Sequence, residues 1–172
     1  QEDLCLVQRS SKGWILEAAS LSFPSLWKLS EKLGKNMAAV HGPVDDYPEF
    51  LEKKVEGFFD RLSHDPVWRR NWFIHSDDNL YQPGQPKEDD PVITSDLIGQ
   101  KLFVRSERQT LRALEIPGWI LFTIRVQQTP LEDLIDSRRE DFTSWIHNAP
   151  ESFHRHKALR KEQVGEILKA LG

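Results

Sequence analysis

Residues 4–8 and 14–21 are short segments whose apolar positions are rich in strand formers, and the turn formers Ser10, Ser11, Lys12 and Gly13 lie between them. The pattern predicts a hairpin. After Phe23 and Pro24 the spacing lengthens: Leu26, Leu29 and Leu33 recur at helical intervals, Ser25 stands at a cap and Gly34 at a left-handed end, predicting a helix of about nine residues. A second helix is marked by Asp46 and Glu49 at capping-box spacing, Pro48 in the first turn, and Leu51, Val55, Phe58, Phe59 and Leu62 in one stripe. Residues 67–74, with Trp68, Trp72, Phe73 and Ile74, read as a strand. Residues 77–96 are polar and carry Pro83, Pro86 and Pro91, a long loop that borders a site or, more plainly, is a tolerated insertion. Two more strands follow, 101–111 and 119–127, joined through Ile116, Pro117 and Gly118. The remainder reads as helix: 131–135, 142–147, and a terminal helix with Val164, Ile167, Leu168 and Leu171 on one face. Strands, then helices, then strands with hairpin-length connections predict an α+β domain with an antiparallel sheet and flanking helices.

Composition narrows the function. The chain has 172 residues, enough for one domain with a real core, and 38% hydrophobic residues supply apolar surface to offset folding entropy. With 23 basic and 27 acidic residues the formal charge is −4, which argues against nucleic acid as the partner. Cys5 stands alone, so no intrachain disulfide and no thiol cluster forms, and a reducing, cytoplasmic setting is expected. No apolar run approaches the roughly 20 residues that cross a bilayer, so no membrane role is expected. The chain opens at Gln1 without an initiator Met and runs straight into a strand, which suggests a fragment of a longer protein.

Searches for common chemistry return little. The 9 glycines fall in no phosphate-loop frame, and no GxSxG elbow is present. Cys5 reads as an inert strand residue, His154 and His156 as a solvated surface pair, and the 6 Trp mostly as core. Two histidines stand out. His41 lies before Gly42, Pro43 and Val44 in a stiff connection, placed to be a metal ligand, although on residues alone a hydrogen-bonded loop histidine is the plainer reading. His75 closes a strand and faces either core or solvent.

Five ordered segments alter this balance: QEDLCL from Gln1; FPSLW from Phe23; Glu31 and Gly34 leading to VHGPV and Tyr47; Arg69 through Trp72; and Arg105 with SERQTL, followed by ILFTIR ending at Arg125. Together they resemble the haem-dependent oxidative N-demethylase family, formerly a domain of unknown function. The resemblance implies one PAS-like haem-binding domain over 1–172, with the proline-rich loop at 77–96 and a helical C-terminal part at 130–172. It also implies that the family's N-terminal helical segment is missing ahead of QEDL.

The implied chemistry is oxygen-dependent demethylation of a secondary methylamine to a primary amine and formaldehyde. Haem b iron is the implied cofactor, a small amine and dioxygen the substrates, and a separate flavin or iron–sulfur reductase the electron source. His41 is the implied axial ligand, with His75 in reserve, and Tyr47 a proton donor. Strand alternation sends Arg105, Glu107 and Gln109 one way and Ser106, Arg108 and Thr110 the other. Arg108 is the first choice for a pocket cation that meets a propionate or iron-bound oxygen, with Arg105 beside it as a cofactor contact. Glu107 either attracts an ammonium substrate or holds an ion pair. Asp45 and Ser106 depart from the usual pattern. The alternative is a PAS-like haem or small-ligand sensor without catalysis.

Overall fold

A computed structural model describes residues 2–41, 49–85 and 87–172. Five strands form one open sheet: β1 (Asp3–Ser10), β2 (Gly13–Ser20), β3 (Val67–His75), β4 (Phe103–Ala113) and β5 (Trp119–Pro130), in the order β2-β1-β5-β4-β3. The helices are α1 (Met37–His41), α2 (Glu49–Phe59), α3 (Ile98–Lys101), α4 (Leu131–Asn148), α5 (Glu151–His156) and α6 (Lys161–Leu171). The α+β class, the antiparallel sheet and the flanking helices are as the pattern predicts. The Asp46 and Pro48 part of the expected cap, and Tyr47, lie outside the described residues.

The chain divides into two compact units. Unit 1 comprises Gln1–Asn71, Leu80–Gly84 and Glu107–Val126. Within it the β1–β2 hairpin forms as expected, with a register shift between Leu6 and Val7, and β1 also pairs antiparallel with β5, Cys5 opposite Phe122 and Val7 opposite Ile120. Inward-facing Cys5, Val7, Trp14, Leu16, Leu111 and Ile120 close on Met37 and Phe59 from α1 and α2. Asp3, fully buried, begins β1 by accepting the backbone N–H groups of Ser22 (2.6 Å) and Phe23 (3.1 Å).

The helix expected after Ser25 is corrected. A single 3-10 turn, Leu29–Glu31, stands there. Backbone groups that a helix would have used go elsewhere: Leu26 N–H donates to the Gln82 carbonyl at 2.8 Å, Gly34 N–H to Leu16 at 2.8 Å, and Leu16 N–H to Lys35 at 3.0 Å. The leucine spacing was satisfied by tertiary pairing instead of a helical ladder. Phe58, placed in the core stripe of α2, is 40% exposed, and Trp68 is an exposed exception among the tryptophans.

Unit 2 comprises Trp72–Asn79, Gln85–Ser106 and Gln127–Gly172. Ile74, Ile98, Leu102, Leu131, Ile146 and Ile167 are central to its core. The two helical stretches expected at 131–135 and 142–147 both form within α4, where non-helical Arg138 (φ −144°, ψ 36°) separates them at a kink. The proline-rich loop is tied down by α6: the Gln163 side chain bonds both the N–H and the carbonyl of Ile93 at 2.9 Å, and Glu166 accepts from Ser95 N–H at 2.9 Å.

Candidate functional site

In unit 1 the polar chemistry centres on the end of α1 and on one face of β4. His41, the last residue of α1, donates its Nδ1–H to the Met37 carbonyl one turn back at 2.8 Å. That bond fixes the tautomer. The neutral ring then carries its lone pair on Nε2, and the ring plane is set by the helix. Burial pushes His41 below its ordinary value, the Met37 contact opposes this, and the charges of Arg69 and Lys32 push it down further. Neutral imidazole is the form that binds a metal. Lys32 Nζ also donates to the Val40 carbonyl, holding the last turn of α1 from outside.

On β4 the alternation is as read from sequence: Arg105, Glu107, Gln109 and Leu111 are buried, whereas Arg108 and Arg112 are exposed. The Glu107 carboxylate accepts from Gln109 Nε2 at 2.9 Å, and Gln109 Oε1 accepts from Arg69 Nε at 2.7 Å. This chain of bonds has one polarity. A guanidinium only donates, so Gln109 must turn its oxygen to Arg69 and its nitrogen to the carboxylate. Arg69 therefore reaches in two directions, through Gln109 to Glu107 and through its charge to His41.

Sequence reading gave neither Arg69 nor Gln109 a role. For Gln109 the signal was present, since it shares the alternation of Arg105 and Glu107. Arg69 opens one of the segments that carry the resemblance, but its meeting with Gln109 had no signal, because only strand pairing brings residue 69 to residue 109. Arg108 lies on the exposed side, its guanidinium 5.8 Å from the Trp68 ring centroid. Tyr47 lies outside the described residues.

The other expected residues belong to unit 2. Arg105 is fully buried. His75 faces the core, 5% exposed, with its ring 6.3 Å from that of Phe73. His154 corrects the surface-pair expectation: it is 9% exposed, packs against Trp145 at 5.6 Å, and its Nε2 has no hydrogen-bond partner, whereas His156 is exposed. Lys157, also buried, directs Nζ at the rings of Trp72, Phe73 and Phe153, each 5.1 to 5.2 Å away.

Cys5 is inert by burial, which together with the Asp3 charge pushes its thiol up to about 12. Among the described residues no group of three or more His, Cys, Asp or Glu is placed to hold a metal ion. A haem makes a smaller demand, because its iron brings four porphyrin nitrogens and needs one axial donor from the protein. The neutral, carbonyl-anchored imidazole of His41 fits that demand. No helix of the described residues is long and apolar enough to cross a membrane.

No curated protein matches the chain. Over residues 1–168, however, it matches the family described as haem-dependent oxidative N-demethylase, alpha subunit-like, and the chain belongs to that family.

Proposed function

We propose that the chain is the haem-carrying part of an oxidative N-demethylase for a small secondary methylamine, with His41 as the residue that would hold the haem iron. The observation that carries this reading is the Nδ1–H bond from His41 to the Met37 carbonyl, which orients the imidazole at the end of α1. Haem b, when bound, supplies oxygen binding and activation, with electrons from a separate flavin or iron–sulfur reductase. In the balanced reaction a secondary amine, dioxygen, two electrons and two protons yield a primary amine, formaldehyde and water.

The chain's own groups hold and orient the amine. At neutral pH a small alkylamine is a cation, and the buried Glu107 carboxylate is its counter-charge. Gln109 fixes that carboxylate's direction, and Arg69 fixes Gln109. Tyr47, six residues after His41 in sequence, is proposed as the proton donor. Arg108 takes no part in this arrangement, and Arg105 and His75 of unit 2 enter no step of it.

The test is haemin titration of the longest native form, followed by dimethylamine turnover with a reductant. A Soret band that shifts on binding and is abolished in His41→Ala is the expected result. Glu107→Gln should keep that band while raising the KM for dimethylamine by about tenfold or more, as loss of a charge-assisted contact would. A native Soret band in His41→Ala, or none in the parent protein, would overturn the reading. Haem binding without amine-dependent oxygen consumption would favour the sensor alternative.

A further inference from the structure

The sheet in unit 1 has a second polar face, on the side opposite Glu107. Alternation along β4 sends Arg108 and Arg112 to it, and both are exposed. Trp68 of β3, 59% exposed, lies beneath the Arg108 guanidinium and so shares that side, and Arg70, two residues along the strand, follows it. On the β4–β5 connection Leu114 N–H donates to the Trp119 carbonyl at 2.9 Å, which sets the two residues opposite each other. Even positions of β4 therefore share a face with odd positions of β5, and exposed Arg125 joins the group. Leu4, 44% exposed, pairs with Thr123 and completes it on β1, where Glu2 tempers the charge.

None of Arg70, Arg108, Arg112 and Arg125 has an ion-pair partner among the described residues. In a chain of formal charge −4, four guanidinium groups without ion-pair partners among the described residues, gathered on one sheet face, concentrate positive potential where the remainder of the molecule is acidic. Exposed tryptophan set among arginines is also the composition of a protein-binding hot spot. A single-strand nucleic-acid site would need several stacking rings in succession, and Trp68 provides one.

We propose that this face docks the acidic surface of a separate electron-donor protein. The proposal rests on the reading that the chain receives electrons from such a partner. Position supports it: Trp68 is followed directly by Arg69, which donates to Gln109 at 2.7 Å, so a donor seated on Trp68 is one residue along β3 from the groups of the site.

The probe is a plant-type two-iron ferredoxin, an acidic one-electron carrier, titrated calorimetrically into the full chain at low and high salt. Arg70→Glu with Arg125→Glu should weaken binding by about tenfold or more at low salt, and high salt should weaken the parent protein similarly. Trp68→Ala should weaken binding at both salts. The paired Gln variants, checked by circular dichroism, replace the reversals if these do not fold. Because the titration needs no haem, failure to bind haem would condemn the functional reading alone. In haem-loaded protein the ferredoxin-driven reduction rate should fall with the affinity, while reduction by dithionite stays unchanged. Equal binding by the charge-reversed protein, absence of salt dependence, or tighter capture of a single-stranded oligonucleotide by the same arginines would overturn the proposal.

Discussion

His41 couples its ring to solution pH in a defined direction. Its folded-state value lies below the ordinary 6.5, chiefly through burial. Well above pH 6.5, at about pH 7.5 and higher, the ring is neutral whether the chain is folded or not, and contributes nothing to pH dependence. Below that, the unfolded chain takes a proton that the folded site resists, so stability falls as pH falls. His156, lowered by partial desolvation of its ring and by the charge of Lys157, adds to the same slope. The thermal midpoint should therefore drop between about pH 7 and pH 5, and less steeply in His41→Gln; equal slopes in a pH series of melting curves would refute the assignment. Gln109 carries a second prediction at this scale. Gln109→Leu strips a donor from the buried Glu107 carboxylate and an acceptor from Arg69, and is expected to cost about 1–3 kcal/mol in urea unfolding. The split of Glu107 from Arg108 was legible in sequence, because a period of two is a property of the strand itself. Which side was buried was not, because that depends on what packs against it.

At the scale of elements, the strands were the most legible parts, since their strand-forming residues and turn residues agree with the pairing they adopt. Gly13 shows why: its φ of +95° closes the hairpin, and a Cβ there would meet the Glu56 carboxylate at 3.0 Å. The end of α5 offers a contrast. Leu159 N–H donates to the His154 carbonyl at 2.9 Å and Ala158 N–H to Arg155 at 3.0 Å, the paired bonds of a Schellman end. Ala158 occupies the left-handed position with φ 64°, where glycine has no Cβ penalty. Ala158→Gly should therefore stabilise the protein by up to about 1 kcal/mol, read as a raised denaturation midpoint; a lowered midpoint would show that the alanine methyl packs usefully. The helix wrongly expected after Ser25 failed for a related reason. Periodicity reports where apolar side chains recur, whereas the backbone there bonds to Leu16 and Gln82, far away in sequence.

For the whole molecule, the two units have cores of their own, and each can be probed by a deletion of buried methyl groups. Ile167 is fully buried at the centre of the second core, so Ile167→Ala should cost about 2–5 kcal/mol in chemical denaturation, far more than the same change at exposed Ile116. A small cost would mean that the site collapses around the missing group. By itself the sequence determined the strands, the α6 stripe, the low reactivity of Cys5 and, through its ordered motifs, the family, because these depend on local periodicity or on residues in fixed order. Tertiary structure alone decided that Arg69 joins Gln109, that His154 is buried, and that Arg70, Arg108, Arg112 and Arg125 share one face. Each of these is a meeting between positions distant along the chain, and such meetings are set by strand order and register, which no local pattern encodes.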